Sequence, residues 1–260
     1  MSSARRIFLS TVEYDVLWSQ LGLGRMPYPL GVPSVGFLAE ERAGFIAQAW
    51  EGLAERGLAE GTHLDEEVAE LLRLLAHPAL SVDVLGDVGE PLRALAVRDG
   101  DAAAVAMLNG AGLTLSAIHH TALSSSLTGL LPYAEPGPGH AFTFPHGVLR
   151  AALADEADED VFFGGDEHDV LVRAGMGAGD ARLLAELVDA RRHGGQFGIN
   201  SRHRSRGVMV REPTLVTWLD TAAGRYLVVR EQDWVSVTPT GADRIATRLD
   251  QLLARAADDR

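Results

Sequence analysis

The sequence predicts an α+β fold: a central antiparallel sheet with helical bundles, arranged as two quasi-symmetric halves. Three observations carry this. Apolar residues recur at helical spacing in some blocks and alternate in others, and the blocks come as runs of helices and runs of hairpins, without strict β–α alternation. The order short strand, helices, antiparallel meander, closing helix is read twice along the chain. Between the two readings lies Pro132–Gly139, with two Pro-Gly pairs, the clearest linker in the sequence. The expectation is one domain over residues 1–260, with halves at about 1–132 and 141–258 and a linker at 132–140. The halves share little residue identity, so the repeat rests on order alone.

In the first half, Ile7–Leu9 reads as a short strand. Thr11 is placed as an N-cap, with Tyr14 and Asp15 in the first turn. Val12, Val16 and the Leu17–Trp18 pair recur at helical spacing, so a helix is expected to run to Leu21, where Gly22 and Gly24 stop it. A loop with Pro27, Pro29 and Pro33 follows. Leu38–Arg56 makes a second helix closed by Gly57, and Asp65–Ala76 a third ended by Pro78. Leu80, Val82 and Val84 then alternate as in a strand. Pro91–Arg98 and Ala102–Leu108 flank Asp99-Gly100-Asp101, a hairpin signal, and Gly112–Ile118 continues the meander. Thr121–Leu131 closes the half as a helix.

After the linker, Ala141–Thr143 reads as a strand and Pro145–Leu153 as a helix. An acidic loop and helices around Asp169–Arg173 and Asp180–Arg191 follow. Strands are expected at Gln196–Ser201, Gly207–Arg211, Thr214–Asp220, Tyr226–Arg230 and Trp234–Thr238. A last helix runs from about Thr240 to Ala256.

Composition excludes several chemistries. There is no cysteine, and all 23 basic residues are arginine. Thiolate catalysis, disulfides and Cys-ligated metals are ruled out, as are a Schiff-base lysine and the lysine of a phosphate-cradling loop. A net charge of −13 argues against a general binder of nucleic acid or anionic membrane. The N-terminal apolar run Ile7-Phe8-Leu9 is too short for a signal segment, and no run approaches the roughly 20 residues of a membrane span. A cytoplasmic protein is expected.

Candidate chemical motifs are weak. Gly175-Met176-Gly177-Ala178-Gly179 follows Val170-Leu171-Val172 and precedes a helix, the layout of a nucleotide or S-adenosylmethionine loop. Its spacing departs from GxGxxG, and Ile199 and Asn200 stand where an acidic ribose partner belongs, so a turn between two helices is the plainer reading. The adjacent His119-His120 pair has no metal-ligand spacing, and side chains at neighbouring strand positions diverge. Ser124-Ser125-Ser126 lacks the glycines of a nucleophile elbow and reads as helix N-terminal polar residues. No cofactor, metal site or catalytic residue is expected.

Two charge blocks stand out. Asp155–Asp169 carries eight acids and no base around Val161-Phe162-Phe163, a candidate partner loop or a segment that merely solvates. Arg191–Arg211 carries six arginines and no acid, including Arg202-His203-Arg204-Ser205-Arg206. That run suits phosphate, but in a chain of acid excess a solvated hairpin tip or a patch paired with acidic surface is the plainer reading.

The residues also carry a resemblance. Thr11-Val-Glu-Tyr-Asp-Val-Leu-Trp18, Leu21-Gly-Leu-Gly24, Pro27, Pro29-Leu30, Val32-Pro33-Ser34 and Glu40-Glu41-Arg42 resemble the start of the EspG family, the ESX (type VII) secretion-associated proteins of actinobacteria. Leu95-Ala-Val-Arg98-Asp-Gly-Asp101 is similar to their central hairpin. The C-terminal third matches in order and spacing: Arg192, Gly195-Gln-Phe197-Gly198, Thr217-Trp218-Leu-Asp220-Thr221, Gly224-Arg225-Tyr226-Leu227, Trp234-Val235-Ser-Val237-Thr-Pro239, then Arg244, Leu249 and Leu252-Leu253. The resemblance implies a single α+β unit of two quasi-symmetric halves. It implies a cytosolic, non-catalytic chaperone that binds the hydrophobic tip of a PE/PPE-like secretion substrate and keeps it soluble. Two departures bear on partner binding. The loop between the first meander strands, a client contact in the family, is here the short Gly86-Asp87-Val88-Gly89-Glu90. The block around Val161, Phe162 and Phe163 matches nothing in the family, yet lies in the helical region that the family also uses. These eight residues are the sequence's candidates for partner contact. The rival reading is a nucleic-acid-associated protein using Arg202–Arg206.

Overall fold

The computed structural model describes residues 5–148, 167–203 and 207–258. In chain order the elements are β1 (Arg6–Ser10), α1 (Thr11–Gln20), α2 (Ala39–Glu55), β2 (Ala59–Glu60), β3 (His63–Leu64), α3 (Glu66–Ala76), β4 (Leu80–Asp87), β5 (Pro91–Asp99), β6 (Ala102–Leu108), β7 (Gly112–Ala117) and α4 (Leu123–Thr128). Then come β8 (Phe142–Pro145), α5 (Glu167–Arg173), α6 (Ala178–Asp189), β9 (Arg191–Arg202), β10 (Met209–Arg211), β11 (Leu215–Thr221), β12 (Gly224–Glu231), β13 (Trp234–Pro239) and α7 (Ala242–Asp258).

The expected α+β architecture is present. Among the described residues one antiparallel sheet of eleven strands runs in the order β1-β7-β6-β5-β4-β9-β11-β12-β13-β8, with β10 beside β9. Read inward from either edge, the order is the same: a short strand, then the meander in reverse. The two blocks meet where β4 pairs with β9, over eight residue pairs from Leu80↔Ser201 to Asp87↔Gly194.

Strand alternation assigns side chains to the two faces. On one face Leu80, Val82 and Val84 of β4, Phe197 and Ile199 of β9, and Val216 and Trp218 of β11 form a core that spans the centre of the sheet. It is covered by Leu123 and Leu127 of α4 and by the apolar stripe Ile245, Leu249, Leu252, Leu253, Ala256 of α7. On the other face there are two separate cores. Ile7, Leu9, Leu95, Val97, Leu113 and Leu115 pack beneath α1 and α3. Phe142, Phe144, Tyr226, Val235 and Val237 pack beneath Leu171 of α5 and Ala181, Leu184 and Leu187 of α6. Among the described residues, no helix covers the centre of the sheet on this second face.

Local chemistry moves several predicted boundaries. Ser10, not Thr11, caps α1: its Oγ accepts from the Glu13 N–H at 3.2 Å, while the Glu13 carboxylate accepts from the Ser10 N–H at 2.7 Å. This reciprocal box satisfies two amides that a helix start otherwise leaves unpaired. Val170-Leu171-Val172 lie in helix α5, so Gly175–Gly179 joins two helices and the strand–loop–helix nucleotide layout does not exist. His119 and His120 do not diverge: they sit in a turn with ring centroids 4.2 Å apart. The closing helix α4 is shorter than expected, and β9 is twice the expected length. Residues 146–148 are helical, and the rest of the helix expected to Leu153 lies outside the described residues.

The linker is fastened by a buried ion pair. Arg225 of β12 is 0% exposed. Its Nε and Nη2 donate to the two Asp220 carboxylate oxygens at 2.6 and 2.7 Å, and Nη2 also donates to the Pro132 carbonyl at 2.8 Å. The Arg225 N–H donates to the Glu135 carbonyl, its own carbonyl accepts from Gly137, and the Tyr226 hydroxyl donates to the Pro138 carbonyl. Arg225→Ala leaves the Asp220 charge buried and unpaired. It is expected to lower unfolding stability by about 3–5 kcal/mol, measured by urea denaturation with the slope unchanged.

A second ion group joins α7 to the sheet. Glu231 accepts from Arg255 at 2.5 Å and from Arg248 at 2.6 Å. Its pKa is held below the ordinary carboxylate value, first by the Arg255 hydrogen bond and then by Arg248, against the opposing effect of burial. A folded pKa below the unfolded one means that the unfolded chain binds more protons, so the contribution is present above the unfolded value and lost as pH falls through the folded one. Glu231→Gln is therefore expected to lower the denaturant midpoint at neutral pH. The gap from wild type should close as pH drops below about 4.

Candidate partner-binding cleft

The uncovered strip of sheet forms the floor of a cleft with a volume of about 410 Å³. Its lining comes from five places. β4 supplies Asp83, Leu85, Gly86 and Asp87, β9 supplies Arg191, Gly194, Gly195 and Gln196, β11 supplies Thr217, β10 supplies Arg211, and the proline-rich loop supplies Tyr28. That loop is tied down on two sides. Arg93 of β5 donates from Nε and Nη2 to the Pro29 and Gly31 carbonyls, each at 2.8 Å. Asp15 of α1 accepts from the Val35 N–H at 3.0 Å and pairs with Arg42. Tyr28 thus stands 60% exposed on a fixed wall.

The floor is apolar at its middle and ionic at its ends. Leu85 is 42% exposed in a central strand, a position where an apolar side chain is ordinarily covered. Two residues away, Asp83 is 2% exposed and fully engaged: Arg211 donates to its two oxygens at 2.7 and 3.2 Å, and Asn200 Nδ2 donates at 2.9 Å. The Arg211 guanidinium lies where a Cβ on Gly198 would stand. At the other end, Asp87 accepts from the Gly89 N–H at 3.0 Å and faces His193 Nδ1 at 3.5 Å. Its pKa is lowered, chiefly by the Gly89 hydrogen bond and then by His193. The turn requires glycine there, since Gly89 has φ +98°.

Glycines also set the thickness of the floor. A Cβ on Gly86 would meet Trp218 Cη2 at 2.6 Å and the Gly194 carbonyl at 2.7 Å, and one on Gly195 would collide with the same ring. The indole of Trp218 fills the space that these glycines leave on the α4/α7 side, tilted against Phe197 with centroids 5.1 Å apart.

Of the sequence's candidates, Gly86 and Asp87 line the cleft. Val88 turns toward the α4/α7 core, and Gly89 and Glu90 are the exposed tip of the β4–β5 turn. Val161, Phe162 and Phe163 lie outside the described residues, as do Arg204, Ser205 and Arg206. Arg202 donates to the carbonyls of Pro78 and Gly207, and Arg211 to Asp83, so these two members of the arginine block hold the fold together. Sequence reasoning missed Tyr28, Asp83, Leu85 and Arg211. The available signal was Asp83 itself, an acid amid the apolar alternation of a central strand, which calls for a cationic partner.

A second depression of about 550 Å³ lies on the opposite face, over the outer strands, lined by Leu227, Val229, Trp234, Ser236, Thr238 and Arg248. Among the described residues no group of three or more His, Asp or Glu is placed to hold a metal, and no helix is long and apolar enough to cross a membrane.

An open cleft between two groups of helices, floored by backbone and one exposed leucine, offers an apolar seat with a polar rim to a partner's surface. The sequence model of the EspG family matches residues 10–251, and the chain belongs to that family. Its fold is similar to a solved structure from Mycobacterium tuberculosis, that of the type VII secretion system chaperone EspG5 in complex with the PE25-PPE41 dimer. The TM-score is 0.74 at 15% identity, covering 97% of this chain and 96% of that one. No curated protein matches in sequence.

Gly195→Ala tests the floor. The added methyl meets the Trp218 ring and the backbone of Leu85 and Gly86, so the β4·β9 seam must part. A loss at the upper end of about 1–3 kcal/mol is expected, together with a changed tryptophan emission from Trp218 as its packing opens.

Proposed function

We propose that the protein is a non-catalytic, cytosolic chaperone of a type VII secretion system, and that it seats the apolar tip of a PE/PPE-like client in the central cleft. One observation carries the placement: Leu85 is solvent-exposed at the centre of the sheet, between two ionic groups, in a cleft that Tyr28 also lines. Family membership and the shared fold with EspG5 support the class of activity. Burying a client's apolar side chain on Leu85 and Tyr28 removes area worth about 25 cal/mol per Å² from water. The ionic ends supply the polar rim that rejects mismatched partners.

The β4–β5 turn, Gly86 to Glu90, forms one wall of the seat in this reading. Val161, Phe162 and Phe163 are kept as a nominated second contact on the strength of their charge-flanked sequence alone. The chain works as one unit, with 1–132 and 141–258 as its halves. The nucleic-acid reading through Arg202–Arg206 gains no support, because the Arg202 side chain is occupied by backbone carbonyls.

Tagged protein expressed in its own bacterium, captured and resolved by mass spectrometry, is expected to bring down a PE/PPE-like helical pair in stoichiometric amount. Leu85→Asp, at a position already open to solvent, is expected to fold normally and to weaken that complex by at least about tenfold. Recovery of no secreted helical client overturns the chaperone reading. Unchanged affinity of Leu85→Asp overturns the placement in the cleft.

A further inference from the structure

The start of β9 breaks the alternation that the rest of the strand obeys. Gly194, Gln196, Gly198 and Asn200 lie opposite Asp87, Leu85, Asp83 and Ser81 on the cleft face. Continuing by twos would place Arg192 in the cleft and turn Arg191 away. The pairing with β11 slips there: Asp220 pairs with His193, but Thr221 pairs with Arg191, leaving Arg192 as the extra residue of a bulge. A bulge of this kind re-aims the side chains beyond it. Arg191 accordingly lines the cleft, with its Nε 3.1 Å and its Nη2 3.4 Å from where a Cβ on Gly194 would stand.

Two arginine guanidinium groups therefore sit against β9 glycines, that of Arg211 at Gly198 and that of Arg191 at Gly194. Their fates differ. Arg211 is discharged by Asp83 through two hydrogen bonds. The Arg191 side chain makes no hydrogen bond or ion pair among the described residues, its backbone being paired with Thr221. Asp87, whose charge interacts with that of Arg191, accepts from the Gly89 N–H and faces His193 while lying outside ion-pair distance of Arg191. The cleft thus holds an apolar platform, Leu85 with Tyr28, and beside it a guanidinium whose planar fork is free to take a carboxylate side-on.

We propose that Arg191 is the specificity-determining cation of the cleft, and that the client tip carries an Asp or Glu side chain beside its apolar residue, seated on this guanidinium. The inference rests on the client-in-cleft reading and adds the chemistry of what the client must present. The protein's net charge of −13 repels acidic partners elsewhere on its surface, so a carboxylate delivered to Arg191 selects for one docking register.

The test uses the full chain and the client pair captured from its own cells. Affinity is measured by calorimetry at low and high NaCl for wild type, Arg191→Gln, Arg191→Lys and Arg182→Gln, the last an exposed arginine paired with Glu186 on α6. Arg191→Gln is expected to bind about tenfold or more weakly and to lose most of the salt dependence, with unchanged melting temperature. Arg191→Lys should keep part of the affinity, and Arg182→Gln should match wild type. Substituting the acids of the client tip one at a time should identify one whose loss weakens binding to wild type but not to Arg191→Gln.

Wild-type affinity in Arg191→Gln, with binding lost in Leu85→Asp, overturns the role of Arg191 and leaves the cleft reading intact. No client acid coupled to Arg191 overturns the proposed carboxylate. If neither Arg191→Gln nor Leu85→Asp alters binding, the cleft reading fails and the role of Arg191 falls with it.

Discussion

The pairing of β4 with β9 is the constraint on which the rest of the molecule depends. It makes one sheet out of two blocks of strands, so each block's helices must share the faces that result. On one face α4 and α7 cover the seam, and a single core runs across it. On the other, α1 to α3 stay with the first block and α5 and α6 with the second, so among the described residues the strip between them is left open. The cleft is therefore a consequence of strand order. At the cleft end of the seam Gly86 and Gly195 leave room for the Trp218 ring on the packed side, which lets β4 and β9 pair there without side chains between them and the indole.

Arginine governs how the charges are spent. Arg225, Arg211, Arg202 and Arg93 each turn at least two donors toward fixed acceptors, carboxylate oxygens for the first two and backbone carbonyls for three of the four. A lysine is a point charge with one tetrahedral head and cannot bridge two separated carbonyls in this way. An all-arginine basic set suits a fold whose linker, proline-rich loop and β9–β10 hairpin are each fastened by a fork.

Much of this was legible in one sequence. Alternation at Leu80-Ser-Val-Asp-Val84 and the Asp99-Gly100-Asp101 turn located β4 to β6, and the last helix was expected within a few residues of α7. Other features were written there but read past: Ser10-x-x-Glu13 is a capping-box signature, one residue earlier than the cap assigned to Thr11. The first residues of β9, Arg191 to Gly195, carry no apolar alternation because one side faces the cleft and the other the Trp218 ring, so periodicity found only the strand's second half. The cleft itself was illegible for a plainer reason. Asp83 meets Arg211, and Leu85 meets Gln196, only through long-range pairing that no local pattern encodes.

The seam has a further consequence in time. Ribosomes deliver the first half of the chain before β9, which begins at residue 191, exists. Until then β4 is an outer strand, with the amides and carbonyls of residues 80–87 on its open side unmatched and Leu80, Val82 and Val84 without the α7 lid. Charged Asp83 and Asp87, with Gly86, on that nascent edge discourage another copy from adding to it, although Asp83's later role is to hold Arg211. A protein built to shield a partner's sticky tip must first survive the interval in which it carries such a surface of its own.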